Sequence, residues 1–335
     1  LIATTPATGS EARQHISLGL QLGPQTVSWH ELRRWTLKAE ALGFDSVWLA
    51  DHFIRGFEHP ADPVIEMWSG LAALAACTSR IRLGSLVASV THRNPGITAV
   101  SAATIDRISS GRFILGLGAG WSQEEHRAYG IPLPPPATRM AMLAEAIQIC
   151  RLLWTGDRVS FAGKHFHLED AACEIKPVQT PLPILVGAFG DQLGLKVVAK
   201  YADTWNMVGG DVEILAHKVA LLDRYCEEAG RDPTTLRRSI EIPLAVATDE
   251  ATFKRRLERV IRQRGYDPAR AAAVCVAGTP AQCIEKLARY RDMGFTEFQL
   301  ITREPYEDDE LELFAAEVLP AFADRGGAAG GQTHG

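Results

Sequence analysis

Eight short apolar runs recur along this chain, each lacking a polar face and each followed by a stretch with helical periodicity. They lie at 16–22, 46–50, 81–87, 113–117, 184–187, 204–208, 241–247 and 297–301. A strand that is apolar on both faces must be covered on both, which is the condition of a parallel sheet sheathed by helices. The connecting segments carry matching signals. Ser28 and Glu31 form a capping box, after which Leu32, Trp35, Ala39 and Leu42 repeat at helical spacing up to Gly43. Further helices are expected over 63–78, 97–108, 139–154, 193–201, 212–228 and 280–293, with a terminal one from 308 to about 322.

Eight strand–helix units within 335 residues predict an α/β fold of the closed (β/α)8 barrel type, with a doubly wound open sheet as the alternative. The open sheet usually carries a GxGxxG turn after its first strand, and 19–23 offers none. The Pro132-Leu133-Pro134-Pro135-Pro136 stretch reads as loop, and 159–168, around Ala162-Gly163-Lys164, as a β-hairpin inserted into the repeat. The expected organisation is an N-terminal extension (1–15), one barrel domain (16–325) and a flexible glycine-rich tail (326–335).

Composition removes several classes of function. The net charge is −5 with acids and bases interspersed, so no basic stripe is present to neutralise a phosphate backbone, and nucleic acid is not an expected partner. The longest apolar runs, such as 71–77, fall far short of the roughly 20 residues that cross a bilayer. No secretory signal is visible, and the expected compartment is the cytoplasm. The six cysteines are scattered without a CxxC pair and read as core thiols of a reducing compartment. No metal site is expected: His165 and His167 share one side of the presumed hairpin but lack a third ligand. Arg255, Arg256, Arg259 and Arg262 read as a solvated helix face.

In a barrel of this kind the active site gathers at the carboxyl ends of the strands, so the residues just after each apolar run are the informative ones. After the second strand stand Asp51 and His52, a carboxylate and an imidazole that packing does not require. His52 titrates nearest neutral pH and is the candidate acid–base; the alternative is a hydrogen-bonded rim residue. After the fourth strand, Gly116, Gly118 and Gly120 admit a flat ligand close to the backbone or relieve crowding. Trp121 walls an aromatic ligand or plugs the mouth, Ser122 and Glu125 read as another capping box, and His126 and Tyr129 face the mouth or solvent. After the fifth strand, Gly187-Ala188-Phe189-Gly190-Asp191 precedes a helix whose amides would attract phosphate, although Asp191 opposes an anion; the other reading is an ordinary turn.

These strand-end motifs resemble the luciferase-like monooxygenase superfamily, and within it the branch of oxidoreductases dependent on the deazaflavin coenzyme F420. The resemblance is carried by 43–53 (GFDSVWLADHF), 80–84 (RIRLG), 110–121 (SGRFILGLGAGW), 201–206 (YADTWN) and 278–280 (GTP). It implies a barrel with an inserted segment and a tricyclic cofactor ring in the mouth. Asp51 and His52 would be the catalytic pair, with Asp51 at the ring and orienting it or His52. Ser85, Leu86 and Val87 would form a bulge with a non-prolyl cis peptide, at Ser85–Leu86 or Leu86–Val87, backing the ring. Gly118 and Ala119 would border the cofactor, and Gly187, Ala188, Phe189 and Gly190 would hold its phosphate. Trp121, His126 and Tyr129 would form the substrate side.

Two departures matter. Sugar-phosphate dehydrogenases of this branch carry a catalytic glutamate where this chain has Trp121, so their substrate does not transfer. FMN-dependent monooxygenases of the superfamily carry an Asn-containing strand end and an Arg-Tyr pair, where this chain has 117–120 (LGAG) and Arg139-Met140. The resemblance therefore implies hydride transfer between F420 and a small organic substrate. An FMN monooxygenase served by a separate flavin reductase is the alternative, and a non-catalytic flavin-binding protein the alternative of another class. A homodimer is implied by resemblance alone.

Overall fold

A computed structural model describes residues 15–23, 27–54, 64–302 and 305–323. The expected tail and all of the expected extension except His15 lie outside these residues, as does most of the loop after the second strand.

The chain opens with β1 (Ser17–Leu22), α1 (Trp29–Leu42) and β2 (Ser46–Leu49). The capping box is present: the Ser28 hydroxyl accepts from the Glu31 amide while the Glu31 carboxylate accepts from the Ser28 amide. Gly43 ends the helix in the left-handed region, where a side chain would be strained. Then come α2 (Met67–Cys77), β3 (Arg82–Ser85), β4 (Ala88–Ser89), α3 (Pro95–Ile108), β5 (Phe113–Gly118), α4 (Gln123–Ala128) and α5 (Pro136–Thr155). Of the proline-rich stretch, the last residue starts α5, a position where the missing amide proton costs nothing. The hairpin, β6 (Val159–Ala162) and β7 (His167–Ala171), is antiparallel, and Glu145 of α5 accepts from three consecutive amides of its turn, 164–166.

The second half runs β8 (Ile184–Gly187), α6 (Gly194–Tyr201), β9 (Thr204–Val208), α7 (Val212–Glu228), β10 (Arg237–Val246), α8 (Glu250–Arg264), α9 (Pro268–Val274), β11 (Val276–Gly278), α10 (Pro280–Asp292), β12 (Glu297–Ile301), α11 (Asp308–Glu317) and α12 (Leu319–Phe322). The parallel ring β1-β2-β3-β5-β8-β9-β10-β12 closes because β1 pairs with both β2 and β12. The eight expected strands are the eight staves, so the barrel is closed and the open-sheet alternative falls.

Three expectations need correction. The third run does not continue to 87: β3 ends at Ser85, the Leu86–Val87 peptide is cis, and β4 resumes pairing against β5. The seventh strand begins at Arg237, earlier than expected, because its first residues are polar and Ser239 faces a polar layer inside the barrel. There Asn206 Nδ2 donates to Ser239 Oγ (2.9 Å) and Gln299 Oε1 (3.1 Å). The arginine face of α8 is solvated only in part: Arg255 and Arg262 are exposed as expected, but Arg256 and Arg259 are buried against Glu307 and Glu310 of the C-terminal segment.

Trp48 fills the lower barrel with Leu86, Ile114 and Leu185 around it. Gly84 is what admits the indole, since a Cβ there would stand 2.2 Å from the ring. The larger core lies between the staves and the helices. Five of the six cysteines are buried, and burial pushes the thiols of Cys150 and Cys283 up to about 12, as core thiols require. Among the described residues no helix is long and apolar enough to cross a membrane.

Candidate active site

β2 delivers Asp51-His52-Phe53 to the carboxyl mouth, and β5 delivers Trp121 and α4 beside them. The two meet through Glu125. His52 Nδ1 lies 2.8 Å from Glu125 Oε2, while Glu125 Oε1 accepts from the amides of Phe53 (2.7 Å) and Ile54 (3.3 Å). Ser122 does cap α4, its hydroxyl accepting from the Glu125 amide. The reciprocal half of the expected capping box is missing, because the Glu125 side chain has turned to the end of β2 instead. The carboxylate is buried, with a relative exposure of 2%. Burial alone would raise its pKa, but the hydrogen bond and charge of His52 and the two amides bring it down to about 2.

An ionised carboxylate only accepts, so the neutral His52 ring carries its proton on Nδ1 and leaves Nε2 as the position that gains or loses one. Sequence reasoning missed Glu125 because the Ser-x-x-Glu spacing has a complete local explanation; its partner is 73 positions away.

Asp51 does not touch His52. Its carboxylate accepts from the Ser89 amide (3.0 Å) and from Arg93 (3.1 Å), with His92 Nδ1 3.4 Å away, and Arg93 also binds Glu66. Burial raises the Asp51 pKa, and the contact with His92, the charge of Arg93 and the Ser89 amide more than offset it. Asp51 thus ties the end of β2 to the segment after β4, and the expectation that it orients His52 is withdrawn.

His126 faces neither mouth nor solvent. It is buried, with Nδ1 against the Ser122 carbonyl (2.6 Å) and Nε2 against the Thr91 hydroxyl (2.7 Å), so it does not belong to a substrate side. Trp121 and Tyr129 are both exposed. The Trp121 ring stands edge-on to His52 at 5.5 Å, and Tyr129 packs edge-on against Phe53 at 5.1 Å.

The floor is built by the bulge. Ser85 is fully buried, its hydroxyl donating to the Gly116 carbonyl (2.8 Å) and accepting from the Gly116 amide (2.9 Å), so its one donor is already spent. Val87 projects over β5 and β8: a Cβ on Gly118 would stand 2.5 Å from its side chain, and one on Gly187 would stand 3.1 Å away. The glycines of β5 are therefore required first by the bulge, not by a ligand. Ala119 and Ala188 are buried beside them.

Across the mouth, Phe189 is exposed, and a Cβ on Gly190 would meet open space. Asp191 is matched by Lys218, whose Nζ also donates to the Phe189 carbonyl (2.7 Å). The objection that Asp191 repels an anion therefore weakens. Helix α6 starts without a side-chain cap. Lys218 was invisible beforehand, since on α7 it reads as one more polar position. His165 and His167 sit on the hairpin, and no group of metal-holding side chains occurs among the described residues.

A cavity of about 500 Å³ opens at the amino ends of the staves, lined by Asp45, Arg82, Arg237 and Glu297. It is the wrong end of the barrel for chemistry, which this fold keeps at the carboxyl end.

A parallel barrel with a bulged third stave, and at its mouth a buried carboxylate paired with a partly exposed imidazole, defines the class. The family model for luciferase-like monooxygenases matches residues 12–297, and the chain belongs to that family. It is 31% identical over 334 residues to the F420-dependent glucose-6-phosphate dehydrogenase of Intrasporangium calvum, covering 90% of this chain and 96% of that one. In structure it is similar to an F420-dependent secondary alcohol dehydrogenase solved with an F420–acetone adduct (TM-score 0.83, 22% identity, 92% of this chain and 100% of that one). It is also similar to the monooxygenase RslO1 from Streptomyces bottropensis (TM-score 0.77, 22% identity, 92% and 100%).

Proposed function

We propose that this chain transfers a hydride between coenzyme F420 and a small organic substrate, with His52 moving the accompanying proton. The observation that carries the reading is the His52–Glu125 pair: a buried carboxylate holds an imidazole at the mouth through Nδ1, leaving Nε2 outside that bond. The full-length similarity to F420-dependent dehydrogenases supports the choice of cofactor.

The residues present fit such a group. Leu86 and Val87 offer an apolar floor, glycines admit that floor, and the exposed Phe189 flanks it. The uncapped start of α6, with Asp191 neutralised by Lys218, suits a phosphate. When bound, a deazaflavin supplies a two-electron hydride carrier. The protein does the rest. Trp121 and Phe53 restrict water, and His52 Nε2 accepts the hydroxyl proton as the substrate carbon loses hydride. In the reverse direction the imidazolium returns the proton, and Glu125 stabilises it at no cost in reorganisation. Asp51 acts through the backbone it holds.

Replacing His52 by Ala should lower turnover on an alcohol panel by about 100-fold, the usual weight of a positioned acid–base, with the F420 dissociation constant unchanged. Equal turnover in the two proteins would remove His52 from the chemistry. The assembly proposed is a homodimer, supported by Ile97, Val100 and Ile108 lying exposed along α3. No flavin reductase partner is required by this reading.

A further inference from the structure

We infer that the substrate is an uncharged, apolar alcohol or carbonyl compound, gripped by an aromatic wall of Trp121, Phe53 and Tyr129, and not a phosphorylated sugar. This rests on the hydride-transfer reading above.

The wall starts at the reacting group and runs outward from it. Trp121 stands edge-on to His52 at 5.5 Å, and Tyr129 stands edge-on to Phe53, the next residue, at 5.1 Å. Both outer rings are strongly exposed, Trp121 at 69% and Tyr129 at 54%. Each carries a large apolar surface that water covers poorly, on the side of the mouth that holds His52. Phe53 is fixed from behind by His92 at 4.7 Å, so the wall is held in place without a ligand.

The charges beside the wall are wrong for a phosphate ester. Glu125 places a buried carboxylate 2.8 Å behind His52, and the exposed Glu124 precedes it in the first turn of α4. Among the described residues on this side, Arg93 is committed to Asp51 and Glu66. Lys218, across the mouth, is committed to Asp191 and the Phe189 carbonyl. Arg127 follows Glu125 by two positions, which puts it on the opposite side of the helix. A doubly charged group brought to the wall would lose its water and meet carboxylates. An apolar side chain brought there would cover two exposed rings. The reaction needs one carbon bearing hydrogen and one oxygen able to trade a proton with Nε2, which an alcohol and its ketone or aldehyde supply: the C–H bond breaks with its electron pair leaving as hydride, and the O–H proton goes to His52.

The test begins with F420 dissociation constants for wild type, Trp121→Ala, Trp121→Phe and Tyr129→Ala, with a melting curve for each. Initial rates of F420 reduction are then measured with propan-2-ol, cyclohexanol, 1-phenylethanol and glucose 6-phosphate. The expected result is kcat/KM rising more than tenfold along the alcohols, with glucose 6-phosphate below one-hundredth of the best. Trp121→Ala should flatten that rise at least tenfold, mainly through KM, while F420 affinity stays within twofold and Trp121→Phe keeps most of the preference. A flat alcohol series, a preference for glucose 6-phosphate, an unchanged profile in Trp121→Ala, or tight F420 binding with no alcohol turned over would each overturn the substrate assignment alone. Failure of wild type to bind F420 would instead remove the hydride-transfer reading beneath it.

Discussion

Because Glu125 can only accept, it decides which nitrogen of His52 carries the proton and which faces the mouth. Its carboxyl is held at about pKa 2, below the roughly 4.3 of an unfolded glutamate. A carboxyl depressed in the folded state contributes stability that is fully present above the unfolded value and is lost as pH falls toward the folded one. The stability gap between wild type and Glu125→Gln should therefore shrink between about pH 4.3 and 2, read from melting temperatures across that range. A gap that persisted undiminished through that acid range would contradict the pairing. Asp51 and His52 were legible from position alone, as polar residues at the end of an apolar run. The division of labour between them was not. A strand-end carboxylate beside a histidine in sequence suggests that they are partners, yet successive residues leave an extended backbone in opposite directions. His126 misled in the same way: its place two turns from a glycine-rich end gave no hint that Ser122 and Thr91 consume both ring nitrogens.

At the level of elements, uniform apolar runs located every stave, and errors arose where a stave is polar for an internal reason. The opening of β10 was missed because Arg237 and Ser239 point into the polar interior, a context that only the closed ring creates. The cis peptide fell at one of the two places the resemblance implied. In sequence the glycines of β5 admit two readings, room for a ligand or relief of crowding; a Cβ on Gly116 would stand 1.9 Å from the Ser85 carbonyl, so neighbouring backbone already claims that room. Of the α8 arginines, Arg256 and Arg259 read as solvated in sequence because their acids, Glu307 and Glu310, lie about 50 residues on, in another element. The network predicts a sharp contrast. Arg259→Ala would strand the buried Glu310 carboxylate and should cost about 3 kcal/mol in urea unfolding, whereas the exposed Arg255→Ala should cost less than about 1 kcal/mol. Equal costs would mean that the network is solvated after all.

For the whole molecule, the closed ring explains why residues 73 positions apart act as one group: β2 and β5 open at the same mouth, and α4 folds back across it. Closure was legible from eight repeats within the chain length. The assembly was not, since exposed apolar positions on α3 are indistinguishable in sequence from buried ones. If those positions form the proposed dimer interface, wild type should sediment at twice the chain mass and Val100→Glu at the chain mass; identical profiles would place any interface elsewhere. The central claim concerns what the mouth holds. Titrating the apo-protein with F420 and, separately, with FMN, and following fluorescence, measures it directly. The account predicts a dissociation constant for F420 at least tenfold below that for FMN. Tight FMN binding with weak F420 binding would make this an oxygen-using flavin enzyme and contradict the assignment.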